Sequence, residues 1–253
     1  MKGALLSTLV ALSALASFGA RADASVAETL RRAETLATRG EPAAAIELYL
    51  RLLDEGVASP DVQANLGTLF LEQGDLGRAA VHFESALRSD PWHDDARHNL
   101  DVVLSARTDE LETGASSFEL LRDVGGRTPP AVASVVFLAP FALLQALLFL
   151  LAVVLAPRAR RVIVRAAFVA LALTLAGGGA LGLRMAYESI PRAVVVVERA
   201  AGRKGPAADA AVVLDAHAGL TGSIVAREGD AARLRLDNGL ELWLDARALT
   251  VVE

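Results

Sequence analysis

The chain has 253 residues, 53% of them hydrophobic, and 30 acids against 25 lysines and arginines give a formal charge of −5. It has no cysteine, which excludes disulfides, thiol catalysis and thiolate metal sites. Residues 23–130 hold 20 acids and only 10 arginines, a surface that disfavours nucleic acid as a partner.

The N-terminus, MKGALLSTLVALSALASFGARADA, has Lys2, an apolar stretch from Ala4 to Phe18, then Ala20-Arg21-Ala22. That charged, apolar, small-x-small layout predicts a secretory signal over residues 1–22. An uncleaved membrane anchor is the alternative, and either one exports the segment from residue 23 onward.

Residues 23–112 carry an internal repeat. Setting 26–59 against 60–93 gives a period of 34 without a gap: Ala33 falls on Gly67, Gly40 on Gly74, Ala45 on Ala79, Tyr49 on Phe83 and Leu52 on Ala86. Asn65-Leu66 recurs as Asn99-Leu100. The pattern predicts helix–turn–helix units, with small residues where two helices cross and large ones filling the space beside them. Gly40-Glu41 and Gly74-Asp75 form the turns, the glycine stopping one helix and the acid favouring the start of the next. Pro91 ends the second unit.

The stretch NLGTLFLEQGDLGRAAVHFESALRSDP resembles a tetratricopeptide repeat. The preceding copy departs from the family pattern at Arg32 and Val57, and residues 94–112 resemble a third first-helix acting as a solvating cap. The resemblance implies a concave groove that binds extended peptides or helices and carries no chemistry of its own. The first helix of each unit faces such a groove, which nominates Asn65, Thr68 and Glu72, then His98, Asn99 and Val102. Asn65 and Asn99 resemble half of the clamp some relatives use on peptide carboxylates, although the lysines of that clamp are missing. The other reading is that both asparagines satisfy backbone groups between the helices.

A linker is expected over residues 113–130. Residues 131–156 then contain no charged side chain over 26 positions. At ~1.5 Å per residue this is long enough to cross a hydrocarbon core of ~30 Å. Residues 166–187 are read as a second span, uncharged as far as Leu183, with Gln145 and Thr174 the notable polar residues of the two runs. Gly178 and Gly182 would allow close helix approach, either within the hairpin or to a partner. Between the spans, APRARRVIVR places Arg158, Arg160, Arg161 and Arg165 in a short loop, 157–165. The positive-inside bias holds that loop in the cytoplasm and puts both flanking regions outside.

Beyond Pro191 the period changes, and in ARLRLD the leucines alternate with arginines as a half-buried strand requires. AVVVVE (193–198), AVVLD (211–215), GSIVAR (222–227), ARLRLD (232–237), LELWLD (240–245) and ALTVV (248–252) read as short strands, with a long loop at 199–210. Asn238-Gly239 predicts a type I′ hairpin, which needs positive φ at both positions. Gly205-Pro206, Ala218-Gly219, Asp237-Asn238-Gly239 and Leu242-Trp243-Leu244, in that order, resemble a bacterial SH3-like domain over 188–253. Trp243 falls on the face opposite Leu240, Leu242 and Leu244. It is either a ligand anchor or a side chain packed under the loop at 199–210.

Catalytic motifs are not found, and no cofactor or metal is expected. His93-Asp94-Asp95 with His98 straddles a helix start and reads as capping. Gly202-Arg203-Lys204-Gly205 lacks the Lys-Ser/Thr pair and the succeeding helix of a phosphate loop. The expected fold class is a multi-domain membrane protein, with an all-α tetratricopeptide helical repeat, a two-helix transmembrane hairpin and a small all-β SH3-like barrel.

That order of modules resembles the BatE-type proteins of bacterial aerotolerance operons. The resemblance implies a non-enzymatic adaptor in the inner membrane, both soluble modules on the periplasmic side. Its partners would be von Willebrand A-domain membrane proteins, a MoxR-type ATPase indirectly, and the lipid bilayer. The rival reading is an envelope protein that holds peptidoglycan through its SH3-like domain.

Overall fold

A computed structural model describes residues 24–106, 125–153 and 156–252. The signal (1–22), most of the linker, and residues 154–155 of the first expected span lie outside the described residues.

The helical unit comprises α1 (24–38), α2 (Pro42–Asp54), α3 (Pro60–Glu72), α4 (Leu76–Ser89) and α5 (Asp94–Ala106). Proline opens α2 and α3, where its missing N–H goes unneeded. Ser59 Oγ accepts from Val62 N at 3.3 Å to cap α3, and Asp75 Oδ1 accepts from Arg78 N at 2.9 Å to cap α4.

The 34-residue period is visible in the backbone itself. Gly40 N donates to Ala37 O and Glu41 N to Leu36 O; one period on, Gly74 N donates to Leu71 O and Asp75 N to Phe70 O. Both glycines sit at φ 76°, the left-handed region that ends a helix at low cost. The crossing of α3 and α4 is equally close: a Cβ on Gly67 would lie 2.6 Å from the Phe83 ring. Ala33, Ala45, Tyr49, Leu52, Ala79, Phe83 and Ala86 all lie in one core with Phe70.

The apolar runs form α6 (Pro130–Val153) and α7 (Pro157–Ser189), an antiparallel pair. Both are long and apolar enough to cross a membrane. Phe149 (73% exposed), Phe168 (68%) and Leu175 (68%) point outward, the kind of surface a bilayer covers.

Two expectations are corrected here. Residues 157–165 are not a loop but the first turns of α7: Pro157 starts the helix, and no breaker interrupts the good helix formers after it. The close approach of the pair falls on Gly177 rather than on Gly178 or Gly182. A Cβ at Gly177 would lie 2.6 Å from Val136 O, whereas Gly178 has only ordinary contacts with Phe137 and Gly182 faces open space. Thr174 Oγ1 donates back to Ala170 O at 2.7 Å, so its hydroxyl is satisfied within the helix.

The C-terminal unit is one antiparallel sheet. Its strands are β1 (Arg192–Val195), β2 (Arg199–Arg203), β3 (Val212–His217), β4 (Thr221–Glu228), β5 (Ala231–Leu236), β6 (Glu241–Asp245) and β7 (Leu249–Val251). Their order is β3-β2-β6-β5-β4-β1-β7, with a short 3-10 turn at Ala246–Ala248 before the last strand. Ala193, Val195, Leu220, Leu234, Leu236, Leu242 and Leu244 fill its core. β1 lacks polar alternation because it is covered on both faces: Ala193 and Val195 belong to this core, Val194 to that of the helical unit.

The segment expected to be a loop at 199–210 contains β2. Arg-Ala-Ala-Gly-Arg has no β-branched or aromatic residue to announce a strand, and it is pairing with β3 and β6 that makes it one. The Asn238-Gly239 turn does join β5 and β6, but only Gly239 has positive φ (86°). Gly239 N donates to Leu236 O and Asn238 Oδ1 accepts from Leu240 N, so the hairpin is a longer loop ending in a left-handed glycine.

Candidate partner-binding faces

Asn65, Thr68 and Glu72 share one face of α3, and His98, Asn99 and Val102 share one face of α5. The Asn99 Nδ2–Thr68 Oγ1 hydrogen bond of 3.2 Å brings the two faces together. Thr68 Oγ1 in turn donates to Ala64 O at 3.0 Å. Asn65 Nδ2 donates to the Tyr49 hydroxyl at 3.2 Å, tying α3 to α2. Each asparagine therefore bridges two helices through its amide, and its partner is a side-chain hydroxyl rather than the backbone group expected. Burial, reinforced by the charge of Glu34, raises the pKa of Tyr49, so it stays a neutral hydroxyl. Glu72, His98 and Val102 remain exposed around this hydrogen-bonded floor, Val102 at 40%.

Behind the same wall lies a polar group that the sequence did not single out. His82 Nδ1 lies 2.7 Å from Gln63 Oε1, and its ring stacks on Phe70. Burial, then the nearby Arg78 charge, lowers its pKa to about 4. A neutral imidazole donating from Nδ1 fits that environment. His93 does cap α5, accepting from Ala96 N at 3.2 Å, while its Nε2 lies 3.3 Å from Asp61.

Trp243 is half-buried on the face opposite Leu242 and Leu244. It stands in register between Arg203 of β2 and Arg233 of β5, and the Arg233 guanidinium lies 5.6 Å from its ring centre. Beside the indole are thus the β2 strand and the Arg233 guanidinium, while Arg203 directs its Nε to the Ala208 carbonyl at 3.1 Å. Arg233 and Arg235 also pair with Glu241.

The most heavily connected polar groups are two arginines that no local motif distinguishes. Arg184, 2% exposed, donates from Nη2 to the Arg88 carbonyl at 2.6 Å and from Nη1 to the carbonyls of Gly125 and Gly126. Its Nε donates to Glu188 Oε1 at 3.0 Å. Arg88 Nη2 donates back to the Glu188 carbonyl. Arg192, 4% exposed, pairs with Glu84 of α4 at 3.2 Å and with Asp237 after β5 at 3.3 Å. Burial pulls the Arg192 pKa down, but the two carboxylates more than reverse this, and the net shift is upward. Close packing accompanies the charges: a Cβ on Gly77 would lie 2.7 Å from Val196 Cα, and one on Gly219 would lie 3.3 Å from Val103. The helical unit, the sheet and the end of α7 meet at this junction.

No family model matches the chain, and no curated protein matches it.

Proposed function

We propose that the protein is a membrane-anchored adaptor that binds a protein partner on the α3–α5 face. The observation that carries this reading is the arrangement of Glu72, His98 and Val102, exposed around the floor made by Asn99 and Thr68. An apolar side chain held among polar ones on a rigid helical wall suits a peptide or helix that buries a few anchors. In support of tetratricopeptide character, the same chain reversal recurs 34 residues apart at Gly40 and Gly74. In support of an SH3-like barrel, the last strand comes after a 3-10 turn and pairs with the first.

On this reading α6 and α7 span the inner membrane of a bacterium, and the arginines that open α7 stay in the cytoplasm. Both soluble units then lie on the periplasmic side. The partners proposed are von Willebrand A-domain membrane proteins, with a MoxR-type ATPase indirectly engaged. A reporter active only in the periplasm should work when fused after Asn99 and stay silent after Arg161. The opposite pattern would overturn the orientation.

The second reading, peptidoglycan binding, rests on Trp243, whose half-buried indole offers a stacking surface beside the Arg233 guanidinium. Co-purification separates the two readings. Val102→Asp with His98→Ala should lose membrane-protein partners while Trp243→Ala keeps them. Trp243→Ala releasing the protein from sacculi, with the double variant unaffected, would favour the second reading.

A further inference from the structure

Among the described residues outside α6 and α7, Trp92 is the largest exposed apolar side chain, at 59%. Its position in the fold gives that exposure a meaning. The chain leaving α7 runs antiparallel to α4: Arg184 and Glu188 are tied to Arg88, Arg192 to Glu84, and Val195–Val196 abut Gly77. The C-terminal end of α4 therefore points back along α7, towards its apolar run, which ends at Leu183. α5 reverses direction after α4, so residues 90–93 are the apex of a turn aimed at the level where that run ends. Trp92 occupies that apex. The turn is held from both sides: Trp92 N donates to Asp90 Oδ1 at 3.0 Å, and Arg97 Nη2 donates to Pro91 O.

We propose that Trp92 is a bilayer-interface anchor, its indole entering the headgroup region beside α7 and seating the helical unit on the membrane. An indole combines a large apolar body with one N–H donor, and tryptophan concentrates at the level where hydrocarbon meets headgroups. Asp90, Asp94, Asp95 and Asp61 lie around the same apex in sequence or contact. They repel anionic lipid, so the surface it fits is zwitterionic. The proposal rests on α6 and α7 spanning the bilayer.

The test uses the full chain in phosphatidylcholine vesicles containing lipid brominated either near the headgroup end or near the terminus of its chains. With Trp243→Phe, Trp92 is the sole tryptophan, and headgroup-proximal bromine should quench roughly half its emission, terminal bromine much less. Adding anionic lipid should weaken the quenching. Trp92→Phe, which leaves Trp243, should show no quenching from either lipid. A third variant, Trp92→Phe with Trp243→Phe and Phe141→Trp, reports on mid-α6 and should be quenched most by terminal bromine. If that control is quenched and Trp92 is not, the anchor is overturned while the spanning reading stands. If the control is unquenched too, the spanning reading itself fails. A Trp92 whose emission is blue-shifted but quenched by neither lipid is covered by protein, which also overturns the anchor.

Discussion

Arg184 and Arg88 fasten each other's helix ends: Arg184 Nη2 donates to the Arg88 carbonyl, and Arg88 Nη2 donates to the carbonyl of Glu188, one turn beyond Arg184. The exchange joins α4 to α7 beside the buried Tyr187 ring, which lies 5.9 Å from the Arg88 guanidinium and 5.8 Å from that of Arg184. It also satisfies carbonyls at two helix ends, groups that burial would otherwise leave unpaired. The apolar hairpin is thereby fixed directly to the helical unit.

Arg184→Met should therefore weaken the junction more than its small change in volume suggests. It strips the carbonyls of Gly125, Gly126 and Arg88 of a charged donor, and an unpaired buried acceptor costs about 1–3 kcal/mol. Arg184→Lys should recover only part of the loss, because an ammonium cannot reach out in the planar fork that serves several acceptors. Thermal melting of the full chain in detergent, scored with proteolysis between α5 and α6, measures both. Melting curves identical to the wild type would show that the junction carries no stability.

The α3–α4 crossing should tolerate no side chain at Gly67. Even Gly67→Ala places a carbon 2.6 Å from the Phe83 ring, and overpacking of this kind costs about 1–3 kcal/mol. Phe83→Leu alone should also destabilise, but Gly67→Ala combined with Phe83→Leu should be less harmful than the two losses added. A double-mutant cycle by urea denaturation reads that coupling. Strict additivity would mean that the two residues do not press on each other.

His82 should make the helical unit sensitive to mild acid. Its folded pKa is lowered from 6.5 to about 4, so between those values the unfolded chain holds a proton that the folded chain does not. Stability from this group is complete above about pH 6.5 and is lost as pH falls towards 4, by up to about 3 kcal/mol. His82→Gln should flatten that part of the stability–pH profile, while carboxylate titration at lower pH remains. A profile unchanged by the substitution would place the acid sensitivity elsewhere.

The helical repeat and the two apolar helices were legible because each is written in a strong local code. A 34-residue period with glycine at fixed offsets specifies its own turns, and an uncharged run of 26 residues specifies a long apolar helix. β5 and β6 were readable from alternation, and β1, β3, β4 and β7 as short runs bounded by turn residues. β2 was not, since Arg199–Arg203 becomes a strand only through partners that are distant in sequence. The helical start of α7 was masked by its arginines, whose charge reads as a loop but whose helix propensity is high. Of the nominated side chains, Asn65 and Asn99 turned out to bridge helices, a geometry that residue identity alone could not separate from ligand binding. The junction was the least legible feature. Arg184 stands four residues before Glu188, a helical pairing signal, yet nothing local says that it also caps α4 and the 125–126 turn.

The central claim, that the α3–α5 face is where a protein partner binds, is tested most directly by site-specific photocrosslinking in intact cells. A photoreactive residue at Val102, and separately at Glu72, should crosslink to a discrete membrane protein, identifiable by mass spectrometry as carrying a von Willebrand A domain. The same residue at Trp243 should not give that product. Crosslinks to peptidoglycan from Trp243, with no protein product from either Val102 or Glu72, would contradict the account.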